Sequence, residues 1–411
     1  MADAADLQLQ VPAGAEWGPA FDAAGATGAW IATIPAAERE KSDAYFEGGY
    51  WIEAWGALIT VAIAWILLET RLSARLRDFA ERRARKPFRQ TLLYAAGFML
   101  AIGILGLPWT LYTDFFREHQ YGMSNQTLGA FLGERAISLA LGIALGAIAI
   151  AGLYAIIRRV RERWVPWATA ATAVFLLFMI MVFPVFIAPL FNDYRSLPAG
   201  ELRDSILALA HDNGIPADDV YWYDASKQTR RISANVSGIA HTTRIALNDN
   251  LLNGTSEPEI RAVMAHEMGH YVLNHSLWIP LSTALMLGIG YWVVNRSFGA
   301  IRARRGGRWG VRDIADPAGL PLALAIFAVV MLLLTPVSNG IVRIAENQAD
   351  AFGLDAAREP QGFASVAMRL SSYRKIEPGR VEECVFYDHP SGRTRVMRAM
   401  RWLAEHPPQS R

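Results

Sequence analysis

The residues best suited to chemistry are two histidines and a glutamate in the arrangement His266-Glu267-x-x-His270. On a helix, side chains four positions apart stand one above the other, so both imidazoles can reach a single cation. Glu267 is rotated off that face, near enough to act on a cation-held water without being a ligand. Neutral nitrogen ligands, an open position and a neighbouring base are the parts of a zinc hydrolase. The flanking residues favour the helix. Ser256 and Glu259 form an S-x-x-E capping box, and Pro258 falls in the first turn, where no amide partner is needed.

Three residues alone also arise by accident on surface helices, so a second constellation matters: Arg343-x-x-Glu346-x-x-x-Asp350. Glu346 can supply a third ligand. Asp350, one turn on, can hold a ligand imidazole by its other nitrogen. His275 is the alternative third ligand, but it fails the H-E-x-x-H-x-x-G-x-x-H spacing. Ser276 stands where that histidine belongs, and Leu273 replaces the glycine.

Composition sets the surroundings. The chain of 411 residues is 53% hydrophobic and 19% charged, with 13 tryptophans. Such a balance points to a membrane protein rather than a soluble domain. A formal charge of +2 gives no global attraction to nucleic acid, so no nucleic-acid partner is expected. Cys384 is the single cysteine, which excludes an internal disulfide and a cysteine-built zinc site. His119, His211 and His406 lack ligand spacing and read as ordinary polar histidines.

Residues 1–49 contain no run able to span a bilayer and no basic-then-apolar start, so no signal peptide is expected; helix begins near 36–46. Six apolar stretches follow, near 50–68, 91–113, 136–157, 164–190, 277–294 and 318–338. Each is measured against the ~20 residues that cross a hydrocarbon core. Glu53 in the first must face protein or a wet cavity. Pro184 and Pro189 should kink or end the fourth. Between the fourth and fifth stretches, 202–211 reads as an amphipathic helix, 220–223 as a strand, and 231–239 and 243–248 as strands joined by a turn. The division expected is an N-terminal segment (1–49), four spans (50–190), a first peptidase part (191–275), a transmembrane hairpin (276–338) and a second peptidase part (339–411). The fold class is mainly α: a polytopic bundle of about six spans, with a membrane-apposed zinc metallopeptidase unit containing a small β-sheet. Because a hairpin separates the two halves of the metal site, the metal must lie at the membrane surface or in a cavity between spans.

Further matches run in order through the chain: Glu40-Lys41-Ser42, the stretch Leu107–Tyr112, Glu118–Gly122, Asn125–Gly129, Ile187–Phe191, Arg244–Leu247, Glu346–Phe352 and His389-Pro390. With His266–His270, they make the chain resemble the integral-membrane zinc endopeptidases that process prenylated C-a-a-X proteins. The resemblance implies one zinc per chain on His266, His270 and Glu346, with Glu267 as general base and Asp350, Arg343 and Arg395 in support. His389 matches a downstream histidine that steadies the oxyanion. It also implies a chamber enclosed by the spans, and a peptide or protein substrate, prenylated or not, laid along a strand. At that strand the family's Ser-Asn-Ala-Tyr is replaced by Ile232-Ser233-Ala234-Asn235, a change that leaves backbone pairing possible. The family's first span has no counterpart, leaving six where seven are usual.

Loop charges pull against the family on orientation. Arg and Lys number eight in 69–90, four in 158–163 and six in 295–312, against two each in 35–49 and 114–135. The positive-inside rule therefore places the zinc unit on the outer face, whereas the family places it in the cytosol. Other readings are a membrane-protein quality-control protease with the same chemistry, a site-2-type intramembrane protease, and a transporter or scaffold with structural zinc. Glu257, Glu259 and Arg261 make the motif's surroundings too polar for the site-2 type. A structural zinc would have no use for Glu267.

Overall fold

The computed structural model describes residues 7–238 and 243–408. Asp22 caps a short first helix, α1 (Ala23–Ile31), its carboxylate accepting from the Gly25 amide at 2.7 Å. The second helix, α2 (Ala36–Glu69), is continuous. The helix expected near 36–46 and the span expected from 50 are therefore one element. At 1.5 Å per residue it is ~51 Å long, more than a ~30 Å hydrocarbon core requires. Its N-terminal turns thus extend beyond the membrane.

After α3 (Leu72–Arg83) comes α4 (Pro87–Thr110), whose Pro108 lacks an amide and leads into a π-helical turn at Leu111–Phe116. The short α5 (Arg117–Gln120) follows. Thr127 caps α6 (Leu128–Val160), and Arg161 breaks it with φ of +48°, before α7 (Trp164–Val182). Pro184 and Pro189 end α7 as the sequence requires, in a π-helical and then a 3-10 turn.

A four-stranded sheet comes next. Strands β1 (Tyr194–Ser196), β2 (Val220–Tyr223), β3 (Ala234–Ser237) and β4 (Arg244–Asn248) lie in the order β1-β2-β4-β3. Only β2 and β4 run parallel. β1 was not foreseen, since three residues cannot show a period. The turn expected between β3 and β4 falls on residues 239–242, outside the described residues. Helix α8 (Glu201–Asp212) covers the sheet, and α9 (Asp249–Gly254) leads from it into α10 (Glu257–Val272), the helix of the H-E-x-x-H motif. Ile206, Val220, Ile245, Leu247, Ile260, Met264 and Met268 form one buried core between helix and sheet. The chain then makes α11 (His275–Trp309) and α12 (Leu320–Ala357). It closes with α13 (Pro360–Leu370), α14 (Arg380–Phe386) and α15 (Gly392–Glu405). Ala26, Trp30 and Ile31 of α1 join Phe363, Ala367, Val396 and Met400 in a second core.

Among the described residues, five helical stretches are long and apolar enough to cross a membrane: Ala36–Glu69, Pro87–Gln120, Leu128–Leu190, His275–Trp309 and Pro317–Ala357. The third holds two of the six expected spans. Tyr154 and Ile157 of α6 share one buried cluster with Trp164 and Ala168 of α7, which a straight helix could not bring together. The basic connections meet at one end of the bundle. Arg308 reaches Glu69 at 2.8 Å, Arg312 reaches Glu81 at 2.6 Å, and buried Arg77 reaches Asp316 at 2.6 Å. At the other end, Ser124 bridges to Thr229 and Glu118 pairs with Arg231 beside the sheet. The chain is a multi-pass membrane protein with its sheet and the H-E-x-x-H helix at one end.

What positions the site is the crossing of α10 and α12. Two glycines let the backbones touch. A Cβ on Gly269 would lie 3.1 Å from Ala349 Cα, and one on Gly353 would lie 3.0 Å from the His266 amide nitrogen. Gly353→Val is accordingly expected to push the helices apart and to destabilise the fold by ~1–3 kcal/mol, the usual cost of overpacking. A thermal-unfolding temperature equal to wild type would show that the crossing tolerates a larger gap.

Candidate active site

The capping box forms as its sequence suggests, with Glu259 Oε2 accepting from the Ser256 amide at 2.7 Å. Glu259 is buried, and Arg369 and Ser365 also hold it, so the first turn of α10 is anchored to α13. Burial pushes the Glu259 carboxyl up, but Arg369 and the Ser256 amide overcome it and hold it below its ordinary value.

From that anchored helix, His266 and His270 project toward α12. Their Nε2 atoms lie 3.2 Å apart, and each is 3.3 Å from an oxygen of Glu346. One donor atom from each of the three fits within 4.8 Å, a cluster able to hold a metal ion. Glu346 Oε2 is buried without a hydrogen-bond donor among the described residues, although two imidazole nitrogens are beside it. Such an oxygen calls for a cation. The donor set, two imidazoles and one carboxylate with a side open, matches a catalytic zinc site.

The supporting residues divide into two groups. Asp350, fully buried, lies 2.9 Å from His266 Nδ1 and accepts a forked pair of bonds from Arg395 at 2.6 and 3.0 Å. Arg398 adds a third contact at 3.2 Å, which the sequence did not suggest. Arg343 goes elsewhere. Its guanidinium bonds the Glu383 carbonyl at 2.9 Å and the Tyr387 carbonyl, so it holds the end of α14 that leads to His389. His389 Nε2 lies 3.2 Å from Glu346 Oε2, and its Nδ1 lies 2.8 Å from Asp388 Oδ1. The aromatic rings of Tyr50 and Phe386, stacked at 3.9 Å, tie this segment to α2. His275, which the sequence presented only as a failed ligand, is buried with its Nδ1 2.8 Å from His270 Nδ1. His119, His211 and His406 instead bond nearby backbone carbonyls, which agrees with ordinary polar roles.

Glu267 faces a cavity of about 230 Å³ that it shares with His266, His389, Arg395, Ser233 and Ala234. Burial raises its carboxyl above the ordinary value, against the pull of the two histidines. β3 is the last strand of the sheet, so one edge of it has no strand partner among the described residues. Ser233 and Ala234 thus line the reactive cavity. Asn235 does not. It opens with Ser237 onto a second, largely apolar cavity of about 590 Å³, walled by Met179, Phe183 and Ile279. Alternation along a strand sends neighbouring side chains to opposite faces.

A long-helix bundle carrying an H-E-x-x-H helix, crossed by a second helix that brings a glutamate beside the two histidines, defines a membrane-embedded metallopeptidase. The comparisons agree with that class. Residues 29–193 match the family described as CAAX prenyl protease N-terminal, five membrane helices, and residues 196–410 match Peptidase family M48. The chain belongs to peptidase family M48. It is 30% identical over 340 residues to the uncharacterized metalloprotease YhfN of Bacillus subtilis, covering 81% of this chain and 79% of that one. It is also 30% identical to a CAAX prenyl protease 1 homolog of Oryza sativa, covering 77% and 75%. The crystal structure of S. mikatae Ste24p superposes with a TM-score of 0.73 at 22% identity, over 89% of this chain and 90% of that chain, which shows the shared fold.

The charge cluster has a measurable consequence. Burial pushes the His266 imidazole down, but Asp350 and Glu346 outweigh it and hold its pKa at about 10. In metal-free protein this proton contributes stability that is complete below the unfolded value of ~6.5 and is lost as pH rises through about 10. The unfolding temperature of metal-free protein should therefore fall between those limits. Metal-loaded protein, whose ligand imidazole carries no proton on Nε2, should lack that particular decline. Parallel melting curves with and without chelator across this pH range check the sign.

Proposed function

We propose that the chain is a zinc endopeptidase whose metal is held by His266 Nε2, His270 Nε2 and Glu346, one ion per chain. The observation that carries this reading is that one donor atom from each of those three groups fits within 4.8 Å, beside a buried oxygen of Glu346 with no hydrogen-bond partner among the described residues. When bound, zinc supplies Lewis acidity to the water and to the scissile carbonyl. Glu267, in the same cavity and not among the ligands, takes the proton from the attacking water and returns it to the leaving amine. Its raised carboxyl suits both steps.

His389 stabilises the developing oxyanion. Asp388 Oδ1 lies 2.8 Å from its Nδ1 and Glu346 Oε2 lies 3.2 Å from its Nε2, so the ring is held with Nε2 turned toward the metal ligands. Arg343 keeps this donor in place through the backbone of α14, while Arg395 and Asp350 keep the His266 ring in place. The substrate lies extended along the open edge of β3, where the Ala234 backbone offers partners, the Ser233 amide and carbonyl being bonded to Asn248, and Asn235 faces away from the chemistry.

The apolar cavity behind β3 favours a substrate with a hydrophobic tail beside the cleaved segment, and the rice relative bears the name CAAX prenyl protease 1 homolog. C-terminally prenylated proteins are accordingly the substrate class we propose. One observation favours a second reading. The basic connections gather at the bundle end opposite the metal site, which by the positive-inside rule turns the peptidase end outward, toward exported or membrane proteins. Cys384 is the single cysteine and is exposed on α14. A membrane-impermeant maleimide that labels it in intact cells would establish the second reading, and labelling only after lysis would support the first.

Glu267→Gln should retain zinc and fold while peptide hydrolysis drops by ~10²-fold or more, the typical loss of a general base. His389→Ala should retain zinc and lower turnover by ~10²-fold, as for other oxyanion donors. Loss of metal in step with activity in the His389 variant would make that residue a ligand instead. Cleavage of matched prenylated and unprenylated peptides by wild type tests the substrate class.

A further inference from the structure

We infer that His275 is a positioning residue that fixes the tautomer of His270, so that the metal-facing nitrogen of His270 keeps its lone pair. This rests on the metal site proposed above. The local chain makes the contact possible. Helix α10 ends at Val272, and Asn274 adopts a left-handed conformation with φ of +56°. Asparagine tolerates this conformation better than most residues. The tight turn folds His275, the first residue of α11, back against His270. There the two rings meet nearly edge to face, with centroids 4.9 Å apart, and Trp278 closes the far side of His275 at 5.4 Å.

The hydrogen-bond chain has one consistent direction. His275 Nε2 lies 3.0 Å from Gln348 Oε1, a carbonyl oxygen that can only accept. His275 therefore carries its proton on Nε2 and presents a bare Nδ1. That nitrogen is 2.8 Å from His270 Nδ1, so His270 must donate from Nδ1–H. The proton of His270 is then committed on the side away from the site. Its Nε2 lone pair faces the His266 and Glu346 donors at 3.2 and 3.3 Å.

With the opposite order, His275 would donate from Nδ1 and His270 would carry its proton on Nε2. That proton would point at Glu346 and leave no lone pair for a cation. Asp350 performs the same service for His266, so the two ligands have partners of different kinds: a carboxylate for one and a neutral imidazole for the other. Gln348 is exposed, whereas His275 is buried against His270.

Two substitutions separate this role from packing. In His275→Asn the side-chain oxygen can occupy the position of Nδ1 and accept the same bond, although the ring is lost. In His275→Phe the ring is kept and the acceptor is lost. His275→Leu is a second variant without an acceptor, should the phenylalanine disturb folding. Purified full-length proteins would be titrated with zinc against a chromophoric chelator, and their cobalt-loaded forms compared by visible absorption. Zinc affinity is expected to fall ~10–100-fold in the Phe and Leu variants, the usual effect of losing the partner of a ligand histidine. The cobalt spectrum is expected to shift in both. The Asn variant should stay close to wild type in both measurements. Phe binding zinc as tightly as wild type, or Asn binding as weakly as Phe, would overturn this inference alone. A wild type that binds no zinc would overturn the metal-site reading and this inference with it.

Discussion

Everything at the site depends on two buried carboxylates meeting buried imidazoles where α10 and α12 cross. Glu346 and Asp350 are almost wholly excluded from water, and isolated charges in such a place are costly. Asp350 is balanced by Arg395 and Arg398. Glu346 has no such partner, only imidazole nitrogens. The protein therefore needs a cation or a proton among His266, His270 and Glu346, and its helices are held close enough to create that need. Gly269 and Gly353 permit the approach, and the Ser256–Glu259 cap anchored by Arg369 keeps α10 from shifting along it.

The same crossing explains why the site belongs at a membrane surface. α12 carries Glu346 and Asp350 on the same continuous helix as its apolar span, and α11 begins with His275, whose Nδ1 lies 2.8 Å from His270 Nδ1. The metal elements are thus extensions of the spans rather than a separate body. α2 contributes from the other side. Phe46 packs on Tyr387, and Tyr50 stacks on Phe386, so the segment carrying His389 rests on a helix that continues into the membrane.

Much of this was legible in the sequence because helical spacing carries it. The four-residue interval of His266 and His270, the interval of Glu346 and Asp350, the cap at Ser256 and the prolines that end α7 are all local rules. What the sequence did not show depends on contacts between distant segments. Arg398 reaches Asp350 only because α15 packs behind α12. Arg343 lies one turn from Glu346, yet its partners are carbonyls of α14. His275 was measured against a ligand spacing and failed it. Its hydrogen bond to His270 depends on a left-handed Asn274, which no periodicity reveals. The broken helix at Arg161 was visible as a charged interval between spans, whereas strand β1 was too short to leave a pattern.

The central claim is that His266, His270 and Glu346 together form the coordination shell of one zinc. X-ray absorption at the zinc edge of purified protein tests it most directly. The account predicts a first shell of two imidazole nitrogens at ~2.0–2.1 Å and carboxylate or water oxygens at ~2.0–2.2 Å, with no sulfur. That signature should disappear in Glu346→Ala. A first shell of three or more imidazoles, or one unchanged in Glu346→Ala, would contradict it.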